Sequence, residues 1–171
     1  MINKLKSEFP HIEEKSCLEI VNNKYFEILD HEIDKRCYIV RENGQFKVSN
    51  SCQKELNFVT IDNCLFDSSD AERSDCMLFD DKIICFIELK NCKNKNISKN
   101  RRKAKSQLIS TIEFFRDNFD LDYELEAYIC VTCFREDKGF MMTPRASNNN
   151  AQLEFEELLN TKLFYECNKS F

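Results

Sequence analysis

The apolar positions of this chain fall into short dense runs divided by polar clusters, and the runs differ in period. In KSCLEIVNNKYFEIL, Cys17, Ile20, Val21, Tyr25, Ile28 and Leu29 recur at roughly helical spacing, so one or two helices are expected there, after whatever Pro10 ends. RCYIVRENGQFKVSN reads as a hairpin, with residues 38–41 and 45–49 flanking Asn43-Gly44, a dipeptide suited to positive φ in a tight turn. LNFVTID predicts a strand near 58–62, and the Ser/Asp cluster of NCLFDSSDAER predicts a loop. SDCMLF and KIICFIELK predict strands near 75–79 and 83–90, joined through Asp80-Asp81. Residues 98–117 form the clearest helix, with Leu108, Ile112, Phe115 and Phe119 along one stripe. Then come a strand over 126–134, a loop at RASNNN, a helix at AQLEFEELL and a last strand at KLFYECN.

Strands and helices so interleaved predict an α/β (α+β) fold, a mixed central sheet flanked by helices. The 171 residues contain two Gly, two Pro and no repeat, so residues 1–171 are expected to form a single domain. The start, MINKLKSEFPHIEEK, has no apolar signal core, and no long apolar span follows. The ten cysteines are therefore expected to be free thiols of a cytoplasmic protein that does not engage membranes. Cys130 and Cys133 form a C-x-x-C, but residues three apart on a strand point to opposite faces, which does not suit one shared metal.

Charge changes the picture locally. The formal net charge is −5, yet residues 90–105 hold eight Lys or Arg and no acid, leaving about −13 on the remainder. A basic patch on an acidic body suits a placed polyanion. Lys93, Lys95, Lys99, Arg101, Arg102, Lys103 and Lys105 are the candidate nucleic-acid contacts. Positive charge in the first turns of a helix opposes its macrodipole, and a bound anion would offset that cost.

Beside this patch, Glu88 and Lys90 lie two apart on one strand and so share a face, while Ile87 and Leu89 point to the other. A two-residue turn at Asp80-Asp81 sets Asp75 opposite Phe86; a four-residue loop sets it opposite Glu88. Either register puts Asp75 on the face of Glu88 and Lys90. A lone Glu-x-Lys is usually a solvated ion pair worth little. This strand is too apolar to face solvent, so its charges are partly buried and need a cation or a partner. Mg²⁺, which takes one or two carboxylates plus waters and phosphate, fits such a pair, and Lys90 would stabilise charge developing on a phosphate. Metal-free ribonuclease chemistry commonly needs paired histidines, and only His11 and His31 exist, twenty residues apart.

SDCMLFDDKIICFIELK resembles the signature of the PD-(D/E)XK nuclease superfamily, the restriction-endonuclease-like proteins: an Asp opening one strand, twelve intervening residues, then Glu-x-Lys. KAKSQLISTIEFF is similar to the helix that follows in branches carrying Gln-x-x-x-Tyr; Gln107 matches, whereas Thr111 stands at the Tyr position and Ser74 where Pro is usual. The resemblance covers about a quarter of the chain. It implies an αβββαβ core and a metal-dependent nuclease acting on DNA, in defence or repair, with endo or exo action left open. Asp75, Glu88 and the Leu89 carbonyl would be ligands of Mg²⁺, with Mn²⁺ as substitute. Lys90 would be the catalytic lysine, and Gln107 would help position the site or DNA. Many members add an acid from the first helix; Glu14 and Glu19 are both candidates. The alternative is a catalytically inactive relative that binds nucleic acid or a protein partner. Cutting two strands would suit a homodimer, and with no ATP-binding motif any ATPase would be a separate partner chain.

Overall fold

The computed structural model describes residues 1–66, 72–91, 96–135, 139–142 and 149–171. The elements are α1 (Ile2–Glu8), β1 (Leu18–Val21), β2 (Tyr25–His31), β3 (Arg36–Val40), β4 (Phe46–Ser49), β5 (Leu56–Thr60), β6 (Cys76–Phe79), β7 (Ile83–Asn91), α2 (Ile97–Asn118), β8 (Glu124–Arg135), β9 (Gly139–Met142), α3 (Asn149–Leu159), β10 (Thr161–Phe164) and β11 (Asn168–Ser170). The fold is mixed α+β, built from helices and two mixed sheets. The larger sheet runs β1-β5-β6-β7-β8-β10, with β9 added to β8; the smaller runs β11-β4-β2-β3.

β6 and β7 read as near-continuous apolar runs because both faces of the larger sheet are covered. Met77, Phe79, Ile84, Phe86, Ala127 and Ile129 join Leu5, Leu108, Ile112, Phe115 and Phe155 in a core on the helix side. Cys76, Leu78, Cys85, Ile87, Leu89 and Tyr128 join Phe26, Ile28, Phe46 and Val48 in a second core between the sheets. Three layers result: helices, larger sheet, smaller sheet. β5, β6 and β7 form an antiparallel meander, and α2 carries the chain across to β8, which runs parallel to β7. These strands and this helix lie where the sequence pattern puts them, and the Leu108, Ile112, Phe115 and Phe119 stripe is buried.

Asp80 decides the β6–β7 register. Its Oδ1 accepts the N–H groups of Lys82 (2.8 Å) and Ile83 (2.9 Å), and its Oδ2 accepts Lys54 Nζ at 3.2 Å. Burial alone would raise its pKa, but these donors hold it below the ordinary carboxylate value. The resulting loop pairs Phe79 with Ile84 and Cys76 with Ile87, so the next step along brings Asp75 opposite Glu88.

The N-terminal half departs from expectation. The stretch expected to be helical forms β1 and β2, and the N-terminal helix is α1 alone. The expected hairpin is not one: β3 and β4 do not pair with each other but flank β2. Asn43 does adopt a positive φ of 64°, whereas Gly44 serves a close approach. A Cβ at Gly44 would stand 2.6 Å from Glu27 Cβ and 2.9 Å from the Ile28 carbonyl oxygen. Gly44→Ala is therefore expected to lower stability by about 1–3 kcal/mol, as overpacking does; urea unfolding measures it, and an unchanged midpoint would remove the close-approach role.

KLFYECN is not one strand, since β10 and β11 belong to different sheets. Four of the cysteines expected as thiols are paired, Cys17 with Cys64 and Cys130 with Cys167. Among the described residues, Cys37, Cys52, Cys76, Cys85 and Cys133 lie outside these disulfides, and no helix is long and apolar enough to cross a membrane. The expected loops at NCLFDSSDAER and RASNNN lie partly outside the described residues.

Candidate functional site

Asp75 precedes β6, and Glu88 and Lys90 lie near the C-terminal end of β7. Alternation puts all three on the helix side, opposite Ile87 and Leu89, which enter the core between the sheets. Glu88 is fully buried and Asp75 is 7% exposed. Asp75 N–H donates to Glu88 Oε2 (3.1 Å), and Leu89 N–H donates to Asp75 Oδ2 (2.6 Å), so each carboxylate is held by the backbone of the other's strand. Lys90 Nζ forms an ion pair with Glu88 Oε1. The three predicted residues are thus brought together.

The electrostatics follow from burial. Desolvation raises Asp75 to about 7; Lys90 and the Leu89 N–H oppose this, while Asp30 and Asp62 add to it. Glu88 is pushed well above the ordinary range by burial first and Asp75 second, against the pull of Lys90. Burial alone would lower Lys90, but Glu88 and Asp75 overcome it and raise its pKa. Two buried carboxylates facing one ammonium leave one negative charge in excess, which a proton or another cation must answer.

Two acids that sequence reasoning missed adjoin the site. Asp30 on β2 feels Lys90, Asp62, Glu32 and His31, and burial raises its pKa. Asp62 follows β5; burial raises its pKa too, against its backbone hydrogen bond with Asn63 and the attraction of Lys90 and Lys103. The N–H groups of Ile61 and Asp62 both donate to the Asp75 carbonyl, at 2.9 and 3.3 Å. Asp62 ends the run LNFVTID beside the Asp75 strand and was visible there; Asp30 sits on a strand misread as helix. Neither candidate for a first-helix acid lies on a helix: Glu14 is in the turns after α1, and Glu19 is on β1.

α2 fixes the approach to Asp75. Gln107 Nε2 donates to the Arg73 carbonyl (2.8 Å), and Ser74 N–H donates to Thr111 Oγ1 (2.7 Å), which donates to the Gln107 carbonyl (2.8 Å). Gln107 is buried, so it positions the chain ahead of Asp75. Thr111 is fully buried at the position where the resemblance would place Tyr. Thr111→Val leaves the Ser74 N–H without an acceptor and is expected to cost about 1–3 kcal/mol. Thermal and urea unfolding check this; a variant as stable as the parent would show that Thr111 is no anchor.

Of the basic candidates, Lys99, Arg102 and Lys103 are exposed, Lys103 with Glu72 2.9 Å away. Lys105 pairs with Glu154 at 2.5 Å, and Arg101 lies over the Tyr165 ring at 5.8 Å. Lys93 and Lys95 lie outside the described residues. Asn96 at the N-cap of α2 makes no side-chain capping hydrogen bond, and the first turn of the helix holds no acid. Lys103 is within electrostatic reach of Asp62, and the first turn of α2 supplies no acid to neutralise these cations.

Among the described residues, no group of three or more His, Cys, Asp or Glu side chains is arranged to hold a metal ion. What the site offers is a carboxylate pair with excess negative charge, in which no hydrogen bond among the described residues occupies Asp75 Oδ1. Mg²⁺ is the ion whose habit, one or two carboxylates with the remaining positions in water and phosphate, such a pair fits. A larger cleft of about 660 Å³ lies around Asp80 and Asp81, at the opposite end of β6 and β7 from this chemistry. Compared with protein-family models, curated proteins and solved structures, the chain matches none.

Proposed function

We propose that the protein is a metal-dependent nuclease that hydrolyses phosphodiester bonds of DNA, a member of the restriction-endonuclease-like class its hairpin resembles. One observation carries the reading: Asp75, Glu88 and Lys90 converge at one buried point with a negative charge in excess. Asp75, Glu88 and the Leu89 carbonyl would hold Mg²⁺, which would supply an activated water and stabilise the leaving oxygen. Lys90 would present its ammonium to the charge developing on the phosphate. Lys99, Arg102 and Lys103 would hold the backbone of the nucleic acid.

A second reading has its own support, because both Glu88 oxygens are already engaged and the side chain is fully enclosed. On that reading the charges brace an inactive fold that binds nucleic acid or a protein. Supercoiled and single-stranded circular DNA incubated with Mg²⁺, Mn²⁺ or EDTA decides between them. Cleavage that needs the metal and is lost in Glu88→Gln supports the nuclease. No metal-dependent cleavage of either substrate leaves the binding role.

A further inference from the structure

A second cleft, of about 370 Å³, opens beside the C-terminal end of β7, lined by Leu29, Asp30, His31, Ile33, Asn91 and Phe140. Its size is at the lower end for small-ligand clefts, about 300–1,000 Å³. Asn91 follows Lys90 directly on β7, and the Asp30 carboxylate is within electrostatic reach of Lys90 and Asp75. Adjacent residues of a strand point to opposite faces, so Asn91 turns toward the smaller sheet while Lys90 faces α2, and the cleft opens at the same end of β7 on the inter-sheet side. Its lining is mostly apolar at Leu29, Ile33 and Phe140, with Ile33 84% exposed. The polar groups are specific in kind: the carboxylates of Asp30 and Glu32, an imidazole and an amide. Asn91 Nδ2 donates to Glu32 Oε1 (3.3 Å), and His31 Nδ1 lies 3.1 Å from Asp34 Oδ2, with its ring edge-on to Tyr38.

Two carboxylates in the wall repel a phosphate, so the occupant is not the backbone that the basic helix would hold. A neutral planar group with N–H donors satisfies both the apolar surface and the acceptors. Bases in a duplex are stacked on both faces and paired along the donor edge, so only an unpaired one can enter. Guanine presents two adjacent donors there, N1–H and the 2-amino group, whereas thymine presents one N–H between two carbonyls that the carboxylates disfavour. We propose that this cleft binds one unpaired base of single-stranded DNA at the same end of β7 as the acidic site, with guanine preferred. The inference rests on the nuclease reading for its substrate class.

The test uses the full chain and fluorescein-labelled single-stranded heptamers, all-dT or dT with one central dG, with anisotropy read in EDTA so that nothing is cut. The dG heptamer is expected to bind about fivefold or more tightly, which is what one net hydrogen bond supplies. Ile33→Glu and Phe140→Ala should each erase that preference, so that the two heptamers bind the variant within about twofold of each other. Equal binding of the two heptamers by the parent protein overturns the proposal, as does a preference that survives both substitutions. A parallel incubation with Mg²⁺ separates the two readings. A dG preference dependent on Ile33 without cleavage supports the cleft and removes the nuclease; cleavage without dG preference removes the cleft and leaves the nuclease.

Discussion

On the nuclease reading, Glu88→Gln is expected to lower metal-dependent DNA cleavage by about a hundredfold or more while leaving the protein at least as stable as its parent. Both effects have one cause. Glu88 is a fully buried carboxylate whose charge, with that of Asp75, exceeds what Lys90 neutralises. Glutamine keeps an acceptor for the Asp75 N–H but removes the excess charge, and Lys90 keeps Asp75. Residues retained for chemistry at a cost in stability show this exchange when replaced. Lys90→Met should behave oppositely in metal-free buffer, losing about 3–5 kcal/mol because two buried carboxylates then face each other alone. A divalent ion bound only by the folded state would restore part of that loss. Thermal unfolding with Mg²⁺ or EDTA, run beside the cleavage assay, reads all of this. A Glu88→Gln variant that cuts at the parent rate, or a Lys90→Met variant that melts with the parent in EDTA, would count decisively against the charge balance.

The acidic hairpin was legible because its strands are buried on both faces, which leaves apolar runs so dense that any charge within them stands out. Its register was not legible. Two turns were compatible with Asp80-Asp81, and the choice rests on one side chain accepting two N–H groups. β2 was misread because its alternation is broken: Phe26, Glu27 and Ile28 are all buried. Glu27 tolerates burial only because Tyr25 Oη and the Gly44 N–H donate to it, at 2.6 and 2.7 Å, contacts no local pattern reveals. β1 is short, and its Ile20 is 58% exposed, so its apolar spacing followed no buried face. Losing β2 concealed the second sheet, and with it Asp30. The pairs Cys17–Cys64 and Cys130–Cys167 span 47 and 37 residues, and spacing alone does not select them among ten cysteines. The site's centre thus came from local pattern, whereas its surroundings came from long-range packing.

The second large effect lies away from the site, at the contact between the sheets. Glu126 on β8 is 6% exposed, and its Oε2 accepts Tyr128 Oη at 2.7 Å and Lys169 Nζ at 2.6 Å. Lys169 comes from β11 in the smaller sheet, so this pair fastens β11 to β8 across the inter-sheet core. Lys169→Met removes the cation and, among the described residues, leaves a buried carboxylate with a phenol and the Cys85 thiol (3.4 Å) as donors. Stranding one charge of a buried pair costs about 3–5 kcal/mol, far more than the pair itself contributes. The double variant Glu126→Gln with Lys169→Met should recover most of the loss, because the stranded charge has gone and its volume is kept. Chemical unfolding of the parent, both single variants and the double variant gives the coupling directly. Additive single losses would mean that the two residues stabilise the sheets independently, and the bridge would have to be discarded. DNA cleavage by the folded fraction should be unchanged throughout, because neither residue approaches Asp75, Glu88 or Lys90 within hydrogen-bonding range.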